Sequence, residues 1–179
     1  MIQRICLSAL WALLVALPLF AQNPMVKSPD ESVRESQDFE FAMGLLRDGN
    51  YQLAFDQFDQ FTRKYPGSLR LADAEFYAAD ALYRHNDLSD ALERFERFER
   101  AYPESQLADD AIFRQGEVQF KRKRFSAAFF SFKRILDRYP ESPLIDEATY
   151  WIGEAAFNGE DYETALKYYS QCYENYPEG

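Results

Sequence analysis

The sequence predicts an all-α protein, a right-handed superhelical solenoid built from four helical hairpins. A Tyr-Pro dipeptide recurs every 37 residues, with its prolines at Pro66, Pro103, Pro140 and Pro177. Small and aromatic residues stand at the same distances before each proline, and these distances place them on one helical face. A fixed period of this length is typical of repeat proteins, in which each unit buries its apolar face against its neighbours.

The first helix of each hairpin is indicated by a small residue 24 positions before the proline, namely Ala42, Ala79, Gly116 and Gly153. An aromatic residue stands three positions earlier, at Phe39, Phe76, Phe113 and Tyr150. A bulky apolar residue stands four positions later, at Leu46, Tyr83, Phe120 and Phe157. These spacings form one stripe of a helix, and the small residue within it lets the second helix approach closely.

The second helix of each hairpin is indicated by an alanine 12 positions before the proline and an aromatic residue 8 before it. The alanines are Ala54, Ala91, Ala128 and Ala165, and the aromatics are Phe58, Phe95, Phe132 and Tyr169. Because proline disfavours helix for the residue before it, each helix should end at the Tyr-Pro step. With the small residues of the first helices and the four prolines, these residues form the predicted structural core of the repeats.

Boundary residues set the limits of the helices. Asn50, Asp87 and Asp161 suit N-caps of second helices, and the Ser-Pro steps at Ser28 and Ser142 suit the start of first helices. We expect helices at Pro29–Asp48, Tyr51–Lys64, Leu69–Arg84, Leu88–Ala101, Gln106–Arg122, Phe125–Arg138, Pro143–Phe157 and Tyr162–Asn175. A lead-in at 22–37 precedes the repeats, which occupy 38–66, 67–103, 104–140 and 141–179.

Residues 1–21 have the layout of a secretory signal peptide, with Arg4 as the basic region, then an apolar stretch, then Ala21 before a polar residue. An uncleaved membrane anchor is the alternative. The apolar stretch has 16 residues, however, and a membrane-spanning helix needs roughly 20. A lipid anchor requires a cysteine at the cleavage point, and Cys6 stands too early in the chain. We therefore expect export, with cleavage near Ala21.

Charge and the scarcity of reactive side chains exclude several classes of function. The chain carries −10 at neutral pH, and −11 without residues 1–21, so it should repel nucleic acid. His85 is the only histidine, which rules out a paired-histidine metal site within one chain, and its place at a hairpin turn argues against a Ser-His-Asp triad. We expect no catalysis, no cofactor and no metal. Cys172 should be a buried packing residue, because it stands where the other repeats have Phe61, Phe98 and Ile135.

The set of small residue, alanine, aromatic and proline resembles the tetratricopeptide consensus, with the period lengthened from about 34 to 37 residues. The extra length lies in Tyr-Pro-x-Ser segments such as Tyr102–Ser105. This variant is similar to the repeats of the BamD and YbgF/CpoB families of the bacterial envelope. The resemblance implies a protein of the periplasm, or of the periplasmic face of the outer membrane. It also implies outer-membrane assembly, or coordination of envelope and division, through protein contacts.

In a tetratricopeptide superhelix the first helices line a concave groove, where a protein or peptide partner binds. Polar positions on these helices are acidic in three of the four repeats and lie seven residues apart. We hypothesise an acidic stripe that binds a basic or amine-bearing segment. A solvated face stabilised by pairs such as Asp80–Arg84 and Glu117–Lys121 is the alternative. The candidate partner-binding residues are Met43, Asp73, Asp80, Asp110, Glu117, Glu147 and Glu154.

The hairpin turn of the third repeat is a second candidate site. It consists of Lys121, Arg122, Lys123 and Arg124, whereas the corresponding turns of the other repeats are mixed or acidic. An exported acidic protein makes a nucleic-acid patch improbable. Contact with anionic lipid headgroups or an acidic partner is one interpretation, and a solvated turn is the other.

These observations favour a protein interaction scaffold of the periplasm or envelope, with at most peripheral membrane association. The alternative is a non-catalytic module of a larger envelope enzyme or transport assembly. No polar helix follows the fourth hairpin, although repeat arrays normally carry such a cap. We therefore expect further chain, a partner or a second copy to cover that end.

Overall fold

The computed structural model describes residues 29–175, which form eight α-helices and no strand. In chain order the helices are α1 Pro29–Arg47, α2 Tyr51–Lys64, α3 Leu71–His85, α4 Leu88–Ala101, α5 Ala108–Lys121, α6 Phe125–Arg138, α7 Ile145–Asn158 and α8 Tyr162–Asn175. They form four successive hairpins, as predicted. The proposed signal peptide, Ser28 and Pro177 lie outside the described residues.

The four second helices have the predicted bounds, but α3, α5 and α7 begin two residues later than expected. The reason is a turn after each Tyr-Pro step. The backbone N–H of Ser68 donates to the carbonyl of Tyr65 at 3.0 Å, and the Ser68 hydroxyl accepts the N–H of Arg70 at 2.9 Å. Ser142 forms the same turn, so its Ser-Pro step precedes α7 by one turn instead of opening it.

The predicted N-cap residues stand at the helix starts, but only one of the three uses its side chain as a cap. The Asp161 carboxylate accepts the N–H of Thr164 at 3.1 Å. Asn50 makes no side-chain capping bond. The Asp87 carboxylate makes none either and bonds to Nδ1 of His85 at 2.8 Å instead.

Each helix packs against the one before it and the one after it along the chain, which is the contact pattern of a solenoid. Contact between α3 and α5 shows in addition that first helices of successive repeats approach each other. In a tetratricopeptide superhelix the first helices line the concave side, and such an arrangement brings first helices of successive repeats together in this way. No helix in residues 29–175 has the length and apolar character that a membrane span requires.

The core follows the predicted stripes in the first three repeats. Phe58, Phe95 and Phe132 are wholly buried, as are the small residues opposite them on the first helices. The prolines correct the prediction, because Pro66, Pro103 and Pro140 are exposed. They end helices without adding to the apolar core.

The fourth repeat is packed less completely than the other three. Ala165 is buried, but Tyr169 is only half-buried, and Tyr150 and Phe157 are exposed. In the other repeats the next first helix covers these positions. Cys172 is likewise partly exposed instead of buried, because no described helix lies beyond α8.

Candidate partner-binding surface on the first helices

The six predicted groove carboxylates separate into two rows on α3, α5 and α7. The paired acidic row, nearer the middle of each helix, consists of Asp80, Glu117 and Glu154. The open acidic row lies two turns earlier, and consists of Asp73, Asp110 and Glu147. Residues seven apart share a helical face, so the two rows run side by side along the stack. The interactions of the two rows differ.

Asp80 is held inside the protein by two arginines. Its exposed fraction is only 2%. Arg84 Nε donates to Asp80 Oδ2 at 2.6 Å, which is the predicted pair within one helix. Arg114 Nε, from the following repeat, lies 3.3 Å from Asp80 Oδ1. Oδ1 itself accepts no hydrogen bond from any described residue, so the contact is one of charge alone. Asp80 therefore joins α3 to α5.

Glu117 is also paired, but with a different base from the one predicted. Arg114 Nη1 donates to Glu117 Oε2 at 2.5 Å. Lys121 instead places Nζ 3.8 Å from the centre of the Tyr83 ring, and the Arg114 guanidinium lies 5.4 Å from the same ring. Both are cation–π contacts. Burial, followed by the charge of Glu117, raises the pKa of the Tyr83 phenol to about 12.

Glu154, the third member of the paired row, accepts a hydrogen bond from the Tyr169 hydroxyl at 2.7 Å. Burial and this bond both raise the pKa of the Tyr169 phenol, with burial the larger cause. The whole paired row is thus bound to groups within the chain. Asp80 and Glu117 are neutralised by arginines, whereas Glu154 keeps its charge and is held by a hydrogen bond from a neutral phenol.

The open acidic row has no such partners. Asp73, Asp110 and Glu147 form no ion pair with any residue in the range 29–175. Burial is the largest cause that raises the pKa of Asp110; the neighbouring Asp109 raises it further, and the Arg114 charge partly opposes this rise. Burial also raises the pKa of the Tyr77 phenol, followed by the charges of Asp73, Asp80 and Asp110. Asp73 and Asp110, which form no ion pair with a described residue, thus both act on Tyr77.

Two other predicted site elements behave differently. Met43 packs against the apolar core of the first repeat and is partly buried.

In the basic turn, Arg122, Lys123 and Arg124 form no ion pair with any described residue. The turn closes with the Arg124 N–H donating to the Gln119 carbonyl at 2.9 Å. A shallow cavity of about 210 Å³, lined mainly by Phe125, Phe129 and Phe130, adjoins it.

Sequence reasoning missed Tyr77 and Arg114, although a signal for both exists. They stand 26 positions before the proline, where the fourth repeat has Trp151. In each case this residue reaches back to the preceding repeat: Tyr77 stacks on Phe58 with ring centres 5.8 Å apart, and Trp151 stacks on Phe132 at 5.8 Å. In the third repeat this position is Arg114, so its contact with the second repeat is the ion pair with Asp80 and not a pair of stacked rings.

The described residues hold no cluster of His, Cys, Asp and Glu side chains that could bind a metal ion. The paired acidic row is bound to groups within the chain. The open acidic row is spread over three helices. The geometry is that of an extended surface, which suits a peptide or protein segment better than a small molecule.

Comparison with known proteins agrees with this geometry. The family model YfiO, described as "Outer membrane lipoprotein", matches residues 31–113. The model TPR_6, described as "Tetratricopeptide repeat", matches residues 110–142 and 147–179. No curated protein sequence matches. The second half of the chain is thus similar to tetratricopeptide repeats, as the predicted resemblance implied, and the first half is similar to the YfiO lipoproteins.

Solved structures show the same fold. MamA from Desulfovibrio magneticus RS-1, residues 41 to the end, has a TM-score of 0.68 at 19% identity, over 81% of this chain and 77% of that chain. A tetratricopeptide repeat protein from Parabacteroides merdae has a TM-score of 0.69 at 14% identity, over 81% of this chain and 54% of that chain. At these identities the likeness concerns the fold alone, and it confirms the predicted all-α solenoid.

Proposed function

We propose that this protein is a non-catalytic docking scaffold of the bacterial cell envelope, which binds another protein along its first helices. Tetratricopeptide repeats serve as protein interaction modules, and the stacked hairpins provide the extended concave surface that this requires. The envelope location is supported by the YfiO match over residues 31–113. The signal-peptide pattern of residues 1–21 supports it as well. Outer-membrane assembly is the role that these two observations favour.

The partner segment that best fits the surface is a basic one. The observation that carries this proposal is the open acidic row, Asp73, Asp110 and Glu147, which forms no ion pair with any described residue. In the parallel row, by contrast, Asp80 and Glu117 are paired with Arg84 and Arg114, and Glu154 accepts a hydrogen bond from Tyr169. A lysine or arginine side chain from the partner would supply the missing positive charge next to Tyr77. Such charge-assisted hydrogen bonds are about twice as strong as neutral ones.

Charge reversal of the open acidic row tests the proposal. The variant carries Asp73→Lys, Asp110→Lys and Glu147→Lys. The control carries Asp56→Lys, Glu93→Lys and Glu163→Lys, three exposed acids of second helices, so that both proteins have the same net charge. Binding of a fluorescent Lys-rich peptide is followed by anisotropy. We expect the first variant to lose binding and the control to retain it.

A crosslinking experiment in the native cell identifies the partner. A photoreactive amino acid placed at Asp73 should crosslink to a defined envelope protein, and the crosslink should disappear when Asp110 and Glu147 are reversed in charge. Equal peptide binding by the two triple variants would refute the basic-segment proposal. A hydrolytic activity that depends on a single carboxylate would refute the docking scaffold itself.

A further inference from the structure

The third hairpin turn places unpaired positive charge beside exposed apolar surface. Arg122, Lys123 and Arg124 form no ion pair with any residue in the described part of the chain. Lys123 and Arg124 are exposed, and Arg122 is partly exposed. Phe130, in the second turn of the helix that follows, is 64% exposed. Three free cations and an exposed aromatic ring therefore stand at one end of the third hairpin.

Both features are departures from the repeat pattern. Each of the other three hairpin turns contains at least one carboxylate, whereas this turn contains none. At the repeat position of Phe130 the other second helices carry charged side chains, namely Asp56, Glu93 and Lys167. A turn that is simply solvated accounts for the cations, but it does not account for an exposed phenylalanine where the other repeats have a charge.

An apolar cavity of about 210 Å³ lies next to these residues, between α6 and α7. Its apolar walls are formed by Phe125, Phe129, Phe130, Ala155 and Ala156, and its polar lining residues are Ser126 and Asp161. The two alanines leave this space because they are small, whereas the corresponding residues of α5 are Val118 and Gln119. The exposed aromatic ring thus borders a concave apolar surface and does not stand alone.

We propose that the basic-aromatic face, which consists of Arg122, Lys123, Arg124 and Phe130, docks on the surface of a bilayer that contains anionic phospholipid. The three cations pair with headgroup phosphates, and the Phe130 ring enters the boundary between headgroups and acyl chains. A membrane surface offers negative charge and hydrocarbon side by side. An acidic protein segment would satisfy the cations but leave Phe130 and the cavity without an apolar partner.

The carboxylates nearest to the basic-aromatic face are those of the fourth hairpin turn, Glu160 and Asp161. A Cβ atom at Gly159 would lie 3.6 Å from Phe125 Cβ, so this turn adjoins the start of α6. The Asp161 carboxylate accepts the N–H of Thr164 at 3.1 Å, and Glu160 is exposed. These two carboxylates face a turn with four cations, so the local balance is positive.

The acidity of the rest of the chain is too far away to cancel this balance. Asp110, the member of the open acidic row on α5, precedes Arg122 by 12 residues. That separation is about 18 Å along a helix, whereas exposed charges are largely screened beyond about 10 Å at 0.1 M salt. An acidic protein can therefore approach an anionic membrane with this one face.

Cosedimentation with vesicles tests the electrostatic part of the proposal. The full chain, in the form that its own cell produces, is mixed with vesicles of phosphatidylcholine that contain phosphatidylglycerol. Lys123→Gln with Arg124→Gln should weaken binding about 30-fold, because each basic residue at an anionic surface contributes a factor of about five. The control, Arg63→Gln with Arg100→Gln, removes two exposed cations near the C-terminal ends of α2 and α4 and should bind like the wild type.

A second pair of variants tests the apolar part. Phe130→Ala should weaken vesicle binding about tenfold, because it removes apolar surface that the membrane would bury. The control is Leu69→Ala, a fully exposed residue of the loop between α2 and α3, at the opposite end of the hairpins. Glu160→Lys should strengthen binding. Circular dichroism should show that all these proteins are folded, since every changed side chain is exposed.

A soluble polyglutamate peptide is the probe for an acidic protein partner. Peptide binding as tight as vesicle binding, together with no effect of Phe130→Ala on the vesicles, would overturn the membrane proposal. Equal vesicle binding by the Lys123/Arg124 variant and its Arg63/Arg100 control would overturn it as well. The open acidic row is intact in all these proteins, so failure here is distinct from failure of the proposed docking scaffold.

Discussion

Gly116 of α5 lies directly beneath the ring of Phe132 in α6, and a Cβ atom at Gly116 would come 2.5 Å from Phe132 Cε1. Phe132 is wholly buried, so its ring has no free space into which it can move. The same pairing joins Gly153 to Tyr169, where the distance would be 2.7 Å. The small residue of each first helix thus sets how closely the hairpin closes.

Gly116→Ala should therefore destabilise the protein, although alanine is the better helix former. The overlap with Phe132 should cost about 1–3 kcal/mol, and the gain in helix propensity is about 1 kcal/mol. We expect a net loss of up to about 2 kcal/mol in the free energy of unfolding, measured in urea. Gly44→Ala is the control, because its Cβ would meet nothing closer than 4.0 Å. That variant should be as stable as the wild type or more stable, and an equal loss in both would contradict the packing argument.

Phe95→Ala tests the register of the repeats. Phe95 is wholly buried, and its ring centre lies 5.6 Å from that of Phe76 in an edge-to-face contact. Truncation should lower the free energy of unfolding by about 3–5 kcal/mol, the usual cost of removing a buried phenylalanine. Phe130→Ala, at an exposed position, should change it by no more than about 0.5 kcal/mol. Unchanged thermal stability of Phe95→Ala would mean that the predicted stripe is not the core.

The helices and their buried faces could be predicted because they depend on local spacing. Proline disfavours helix for the residue before it, and residues three, four and seven apart share a face in any helix. The helix starts at Leu71, Ala108 and Ile145 were misplaced because a serine turn delays them. That turn depends on hydrogen-bond geometry, which the spacing of apolar residues does not reveal.

The candidate surface was less predictable because it depends on contacts between repeats. The sequence places Asp80 and Asp110 alike, on the polar side of a first helix. The two carboxylates differ because Arg114 Nε, on the next first helix, lies 3.3 Å from Asp80 Oδ1, whereas Asp110 forms no ion pair with any described residue. The same holds for Lys121, whose contact is the Tyr83 ring and not Glu117.

Asp80→Asn should weaken the junction between the second and third repeats. The change removes the charge that Arg84 and Arg114 share and leaves the partly buried Arg114 with Glu117 as its remaining ion-pair partner among the described residues. Because both arginines keep some contact with solvent, we expect a loss of about 1–3 kcal/mol, the value of a charged hydrogen bond. Asp73→Asn on the same helix has no ion pair to lose and should leave urea unfolding unchanged. Equal stability of the two variants would show that the cluster does not hold the repeats together.

Asp110 should lower the free energy of unfolding at neutral pH and have no such effect in acid. Burial and Asp109 raise its pKa above the ordinary 3.8, so folding disfavours its ionised form. The carboxyl therefore costs no stability below pH 3.8, and the cost grows as the pH rises through the folded-state pKa. Asp110→Asn should be more stable than the wild type at pH 7, with the difference vanishing in acid.

Asp161 provides the opposite case, because hydrogen bonds from Thr164 lower its pKa. Asp161→Ala should lose more stability at pH 7 than in acid. Urea unfolding of Asp110→Asn and Asp161→Ala across this pH range measures both effects. A change of stability in the same direction in the two variants would contradict the opposite pKa shifts.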